Sequence, residues 1–165
     1  MSHAVCFRCR RSLDGKDDIR LLTRSCTSCF TAVISSGGKN LTEYLELLGA
    51  PSVLLDQEQT ILFSNSLFRE MMTDHNAPGV RVGEALDCMY SGTLGRCGDT
   101  VACLLCRLKR SVEHTWLTGE GLRAVPISYP HKADSRRTFT VTTEKVGNSV
   151  LLVMGTRPPV AKMKD

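Results

Sequence analysis

At 165 residues, with 42% hydrophobic and 23% charged side chains, the chain holds material for one ordinary core and a small appendage, not for two full domains. A net charge of +4 is too modest to argue by itself for a nucleic-acid surface. No run of about 18 apolar residues occurs, and Met1 to Cys6 lacks the basic-then-apolar layout of a signal peptide, so a cytoplasmic protein with no membrane span is expected.

Residues 1–34 carry two CxxC pairs, Cys6 with Cys9 and Cys26 with Cys29, separated by sixteen residues. In a reducing compartment thiols stay free, so the eight cysteines of this chain read as metal ligands rather than disulfides. Each pair forms a tight knuckle that brings two sulfurs to one tetrahedral ion, and the loop between them returns the chain for the other two. The expectation is a zinc-ribbon-like module holding Zn2+ on Cys6, Cys9, Cys26 and Cys29. Arg8, Arg10, Arg11, Lys16, Arg20 and Arg24 lie in the same segment and are offset in part by Asp14, Asp17 and Asp18. Phosphate contacts to nucleic acid and docking of a protein partner are both open to it.

Ser35-Ser36-Gly37-Gly38 supplies a flexible break, so residues 35–39 are taken as a linker between 1–34 and a second domain over 40–156. Leu41, Tyr44, Leu45 and Leu48 fall at i, i+3, i+4 and i+7, the apolar stripe of a short helix and a candidate dimer contact. Two β-like runs follow, 52–56 and 60–64, joined by a turn over 57–59 as a hairpin. Asn65 or Ser66 can cap a helix over 67–72, in which Phe68, Met71 and Met72 read as core. Residues 82–88 are helix-compatible, and the longest helical pattern runs from about 101 to 117. The last third is rich in β-branched residues over 121–129, 137–145 and 149–155, with turns at 130–135 and at Gly147-Asn148. Residues 157–165 read as a polar tail.

The order helix, two strands, several helices, three strands, with the segments Pro51 to Met71 and Gly79-Val-Arg-Val-Gly83-Glu84, resembles the PAS sensory domain. The resemblance covers roughly 40–156 and implies an α+β fold: a five-stranded antiparallel sheet with helices on one face and a pocket beneath them. Asn65 stands where that family commonly has an Asn opening a short helix after the first hairpin. The insertion from Cys88 to Cys106 is similar to a cysteine-rich subgroup of bacterial PAS domains.

Cys103 and Cys106 are three apart on the predicted helix and so leave the same face. Cys97 precedes the helix start, where Asp99 or Thr100 can cap and the free amides favour thiolate. Gly95 and Gly98 allow the turns needed to aim a sulfur inward, and Cys88 supplies a fourth ligand. Four thiolates suit either Zn2+ or an iron–sulfur cluster, and Arg96, Arg107, Lys109 and Arg110 are on hand to balance their charge. Of the four histidines, only His114 is placed to face a pocket and ligate haem; the others are expected on the surface. Lys132, Arg136 and Arg137 read as a solvated charge cluster.

No Gly-rich phosphate loop, HExxH or GxSxG motif occurs, and the ligand assignment leaves no cysteine for nucleophilic chemistry, so no enzyme is expected. The reading is a sensory or regulatory module signalling by redox state or a small ligand to a partner protein, possible as a homodimer. The alternative is a transcriptional regulator that binds nucleic acid through the ribbon and dimerises through the PAS-like domain.

Overall fold

The computed structural model describes residues 39–72, 79–92, 95–133 and 136–155, with Ser12 and Cys29 as isolated positions. Cys6, Cys9 and Cys26, and with them the expected ribbon, lie outside the described residues, as does the tail over 157–165. Cys29 is half-buried.

The elements are α1 (Lys39–Glu46), β1 (Ser52–Leu55), β2 (Ile61–Ser64), α2 (Ser66–Glu70), α3 (Val82–Ala85), a 3-10 turn (Val101–Leu105), α4 (Arg107–Thr118), β3 (Val125–Tyr129), β4 (Arg137–Val146) and β5 (Ser149–Gly155). The strands form one antiparallel five-stranded sheet in the order β2-β1-β5-β4-β3. None of the described helices is long and apolar enough to cross a membrane.

Period-2 geometry sends alternate side chains of a strand to opposite faces. Val53 and Leu55 of β1, and Val150, Leu152 and Met154 of β5, enter a core shared with Phe68, Met72, Val82, Leu108 and Val112. Their neighbours Leu54, Leu151 and Val153 enter a second cluster with Tyr44, Leu45 and Val146. Residues 53–55 of β1 and 150–154 of β5 are therefore apolar without interruption because both faces are covered there.

This corrects the expectation of helices on one face only: α2, α3 and α4 contribute to the first cluster, and α1 covers part of the other face. It also gives the stripe on 41–48 a use within the chain, since Tyr44 and Leu45 are buried there and Leu48 packs beside them. The last predicted helix and the strand after it are corrected too. The pattern over 101–117 is interrupted at Cys106, whose ψ of 114° is extended, and the strand expected from 121 begins at Val125.

Asn65 ties three elements together. It is fully buried; its Oδ1 accepts from Ser52 N–H (2.9 Å) and from Phe68 N–H (3.0 Å), capping α2, and its Nδ2 donates to Leu45 O (3.0 Å) and Ala50 O (2.6 Å). Removing it strands buried donors and acceptors on α1, β1 and α2 together. Asn65→Ala is expected to destabilise the domain by about 3 kcal/mol in urea unfolding, and Asn65→Asp, which turns a carboxylate oxygen toward the Leu45 and Ala50 carbonyls in a buried site, by at least as much.

A four-cysteine cavity as the candidate site

The segment between α3 and α4 is wound by short-range bonds rather than by regular structure. Arg81 caps α3, its N–H held by the Glu84 carboxylate (3.0 Å). The chain turns through Asp87 at φ +52° into Cys88, whose N–H returns to Gly83 O (2.9 Å). Cys88 forms an isolated antiparallel bridge with His131, flanked by Met89 N–H to Pro130 O (2.8 Å) and Lys132 N–H to Asp87 O (3.0 Å). This bridge fixes Cys88 beside the end of β3.

Cys97 is placed by a glycine. A Cβ built on Gly83 would collide with Cys97 Sγ, and would stand 3.2 Å from Cys97 Cβ and 3.8 Å from Cys88 Cβ. Only a residue without a side chain lets α3 carry Cys97 and Cys88 this closely. Arg81 holds the same loop from behind: its Nη1 donates to Cys97 O (2.6 Å) and pairs with Asp99 Oδ1 (2.9 Å). Gly98, at φ +94°, then turns the chain so that its N–H meets Cys103 Sγ (3.2 Å).

Cys103 lies in the 3-10 turn and Cys106 ends it, extended, as the N-cap of α4. The expectation that both leave one face of a single helix is thus corrected: Cys103 lies before the break and Cys106 at it. Thr100 starts the 3-10 turn without a side-chain cap; its hydroxyl stands 3.1 Å from Cys103 Sγ instead. Asp99, the other expected cap, is engaged by Arg81.

Cys88, Cys97, Cys103 and Cys106 all line one cavity of about 260 Å³, walled by apolar residues such as Leu86, Leu108 and Ile127. Among the described residues no three His, Cys, Asp or Glu side chains are gathered as they would be around a single ion. Burial pushes the Cys97 thiol from its ordinary 9.0 up to about 12, and also raises Cys88, each further by the neighbouring cysteines. Burial pushes Cys103 upward as well, but the Thr100 hydroxyl, the Gly98 N–H and Lys109 outweigh it and leave that thiol below its ordinary value. One cavity thus holds thiols of opposite acidity.

The cations fall out differently from expectation. Lys109 donates to Gly98 O (3.0 Å) and serves the site, and Arg96 pairs with Glu84 (3.4 Å) beside it. Arg107, Arg110 and His114 instead line a separate groove against residues 122–126, so His114 does not face the cavity. His131, expected on the surface, is 5% exposed, and Arg136 lines the cavity and bonds the Ser128 hydroxyl (3.1 Å). Arg81 and Gly83 escaped notice because their roles depend on a loop that closes on them from fourteen or more residues away. The hint was the turn-forming spacing of Gly95 and Gly98.

No family model and no curated protein matches the chain. Solved structures resemble it in shape. The Vibrio cholerae VqmA dimer in the absence of target DNA gives a TM-score of 0.52 at 11% identity, over 76% of this chain and 55% of that one. VqmA bound to DPO gives 0.51 at 11% identity, over 75% and 59%. The PAS domain of the Cronobacter turicensis quorum-sensing receptor RpfR, in complex with BDSF, gives 0.45 at 14% identity, over 66% and 94%. This chain spans little more than half the length of the VqmA chains.

The five-stranded antiparallel sheet with a cavity beneath its helices is the PAS-like fold that the sequence implies. Identities this low speak for the fold alone. Within the PAS-like domain the cavity lies against α3, the 3-10 turn, the start of α4 and β3.

The thiol chemistry can be read in metal-free protein. Brief iodoacetamide treatment at pH 7.5 is expected to label Cys103 before Cys97 by peptide mass spectrometry, because only thiolate reacts. Gly83→Ala should release Cys97 from its pocket and bring its labelling forward while far-UV circular dichroism stays unchanged. The sign of the pH effect follows from Cys97: its buried neutral form stabilises the fold fully below pH 9.0, and this is lost as pH rises toward about 12. The thermal midpoint of metal-free protein is expected to drop across that window, and to drop less in Cys97→Ala.

Proposed function

We propose that this PAS-like domain is a non-enzymatic sensory module in which Cys88, Cys97, Cys103 and Cys106 hold an iron–sulfur cluster and pass its state to a partner protein. The observation that carries the reading is the four-cysteine cavity itself. A single Zn2+ draws its thiolates to within about 3.8 Å of one another, the edge of a tetrahedron with Zn–S near 2.3 Å. Four cysteines around a cavity of about 260 Å³ suit a larger group whose cysteines bind separate irons. The donor set fits, being four thiols in an apolar enclosure with a glycine making room for one of them.

When bound, such a cluster supplies one-electron redox chemistry tuned by hydrogen bonds to its sulfurs. The chain provides those bonds: Gly98 N–H and the Thr100 hydroxyl both reach Cys103 Sγ. Cys106 provides the output. Its carbonyl accepts the first bond of α4, from Arg110 N–H (3.0 Å), so a change at its sulfur acts on a helix start. α4 packs on β3, β4 and β5 and is latched to β4 by the Thr115–Thr143 hydroxyl pair (2.7 Å) and by Lys145 Nζ over the Trp116 ring (3.4 Å). Movement at Cys106 therefore reaches the sheet, through which it would pass to a dimer or partner surface.

The N-terminal Cys6, Cys9, Cys26 and Cys29 are proposed, from their spacing, to hold Zn2+ as a separate docking module. Metal and sulfide analysis of protein purified without oxygen tests both assignments. Iron with acid-labile sulfide, a visible absorption band, and one zinc per chain are expected. Replacing any of Cys88, Cys97, Cys103 or Cys106 by Ser should abolish the colour and leave the zinc. A colourless protein with two zincs would overturn the cluster reading.

A further inference from the structure

Arg81 stands behind the loop that carries Cys97, outside the cavity lining, and the thiols themselves do not account for it. Its side chain is 13% exposed, and its Nε is buried without a hydrogen-bond partner. Its backbone is bridged to Thr60 at the entry to β2, and it caps the helix that carries Gly83. From there Nη1 reaches both Cys97 O and Asp99 Oδ1, and packs on Gly98, which a Cβ would bring to 3.4 Å from it. One guanidinium thus joins the sheet edge to the three residues that aim Cys97 and present the Gly98 N–H to Cys103.

Burying a guanidinium is costly without an anion. Asp99 answers only part of that charge, since its carboxylate is 59% exposed and therefore screened by solvent. Cys97 and Glu58 also act on the guanidinium, and Nη1 touches the Cys97 carbonyl on the loop side. The guanidinium is already paired with Asp99, and a metal-bound thiolate at Cys97 would add a buried negative charge beside it.

Resting on the cluster reading above, we infer that Arg81 is a positioning residue for the four-cysteine site, clasping the Cys97–Asp99 loop and supplying the buried counter-charge that retains the centre. The two roles separate by substitution. Arg81→Gln removes the charge and the clasp, Arg81→Lys keeps the charge on a different geometry, and Asp99→Asn keeps the charge and weakens the clasp.

Two readouts decide it, both on the full chain. Hydrogen–deuterium exchange of metal-free protein reads the clasp: Arg81→Gln and Asp99→Asn should speed exchange at 97–103 about tenfold while the amides of β1 and β5 stay as they are. Release of iron to a chelator from reconstituted protein reads the charge: Arg81→Gln should shorten the half-life 10- to 100-fold, as loss of an outer partner of a metal site does, with Arg81→Lys and Asp99→Asn closer to the parent. The same Arg81→Gln protein should show a lower reduction potential, because removing a positive charge disfavours the reduced centre, which a purely structural role would not do.

Unchanged exchange in Arg81→Gln overturns the clasp, and unchanged release and potential overturn the counter-charge. A parent protein that takes up no iron and sulfide overturns the cluster reading and the counter-charge with it. In that case exchange alone still decides whether Arg81 positions the loop.

Discussion

The missing side chain of Gly83 is the constraint on which the site depends. Cys97 occupies the space a Cβ would fill, and Cys88 crowds the same spot. Because Gly83 belongs to α3, whose Val82 is buried in the main core, the position of both cysteines is inherited from the packing of the domain and not from their own loop. A loop of this length with little regular structure would otherwise sample many conformations. Here it is pinned at Gly83, at the Cys88–His131 bridge and at Arg81, and the cavity is what lies between those pins.

Local periodicity was enough to read most of the fold. The hairpin over 52–64, the Asn65 cap and the Gly147-Asn148 turn are each written in a few neighbouring residues, and all are present. The sheet order and the covering of both faces are not local. Leu54, Leu151 and Val153 alternate with Val53, Leu152 and Met154 in runs that are apolar throughout, so no alternation marks a second buried face. The helix over 101–117 failed for a related reason. Its apolar spacing continues through Cys106, but a 3-10 turn and an α-helix share i, i+3 neighbours over so short a stretch, and only the extended backbone at Cys106 separates them.

The candidate site was legible as a set of cysteines and not as an environment. Spacing and count grouped Cys88 with Cys97, Cys103 and Cys106, and the structure brings all four to one cavity. What spacing could not convey is the inequality among them. Cys97 is pressed into an apolar niche that favours the neutral thiol, whereas Cys103 is met by an amide, a hydroxyl and a nearby ammonium that favour thiolate. These partners come from Gly98, Thr100 and Lys109, and their effect depends on the break at Cys106, which frees the 3-10 turn to fold back toward the loop.

That break also gives the domain a direction of coupling. Had the helix run unbroken from 101 to 117, Cys103 and Cys106 would be two points on a rigid rod, and a change at either sulfur would be resisted by every turn of it. With Cys106 extended, the cavity-side turn and α4 are separate bodies joined at one residue whose side chain lines the cavity and whose carbonyl starts the helix. The far end of α4 is held to β4 by a buried hydroxyl pair and a stacked ammonium, while its near end is tied by Lys109 to the Gly98 carbonyl of the cysteine loop. A rotation about Cys106 is then opposed by that tie and by the packing of Leu108 and Val112 on the sheet, and close-packed cores transmit such displacements instead of absorbing them.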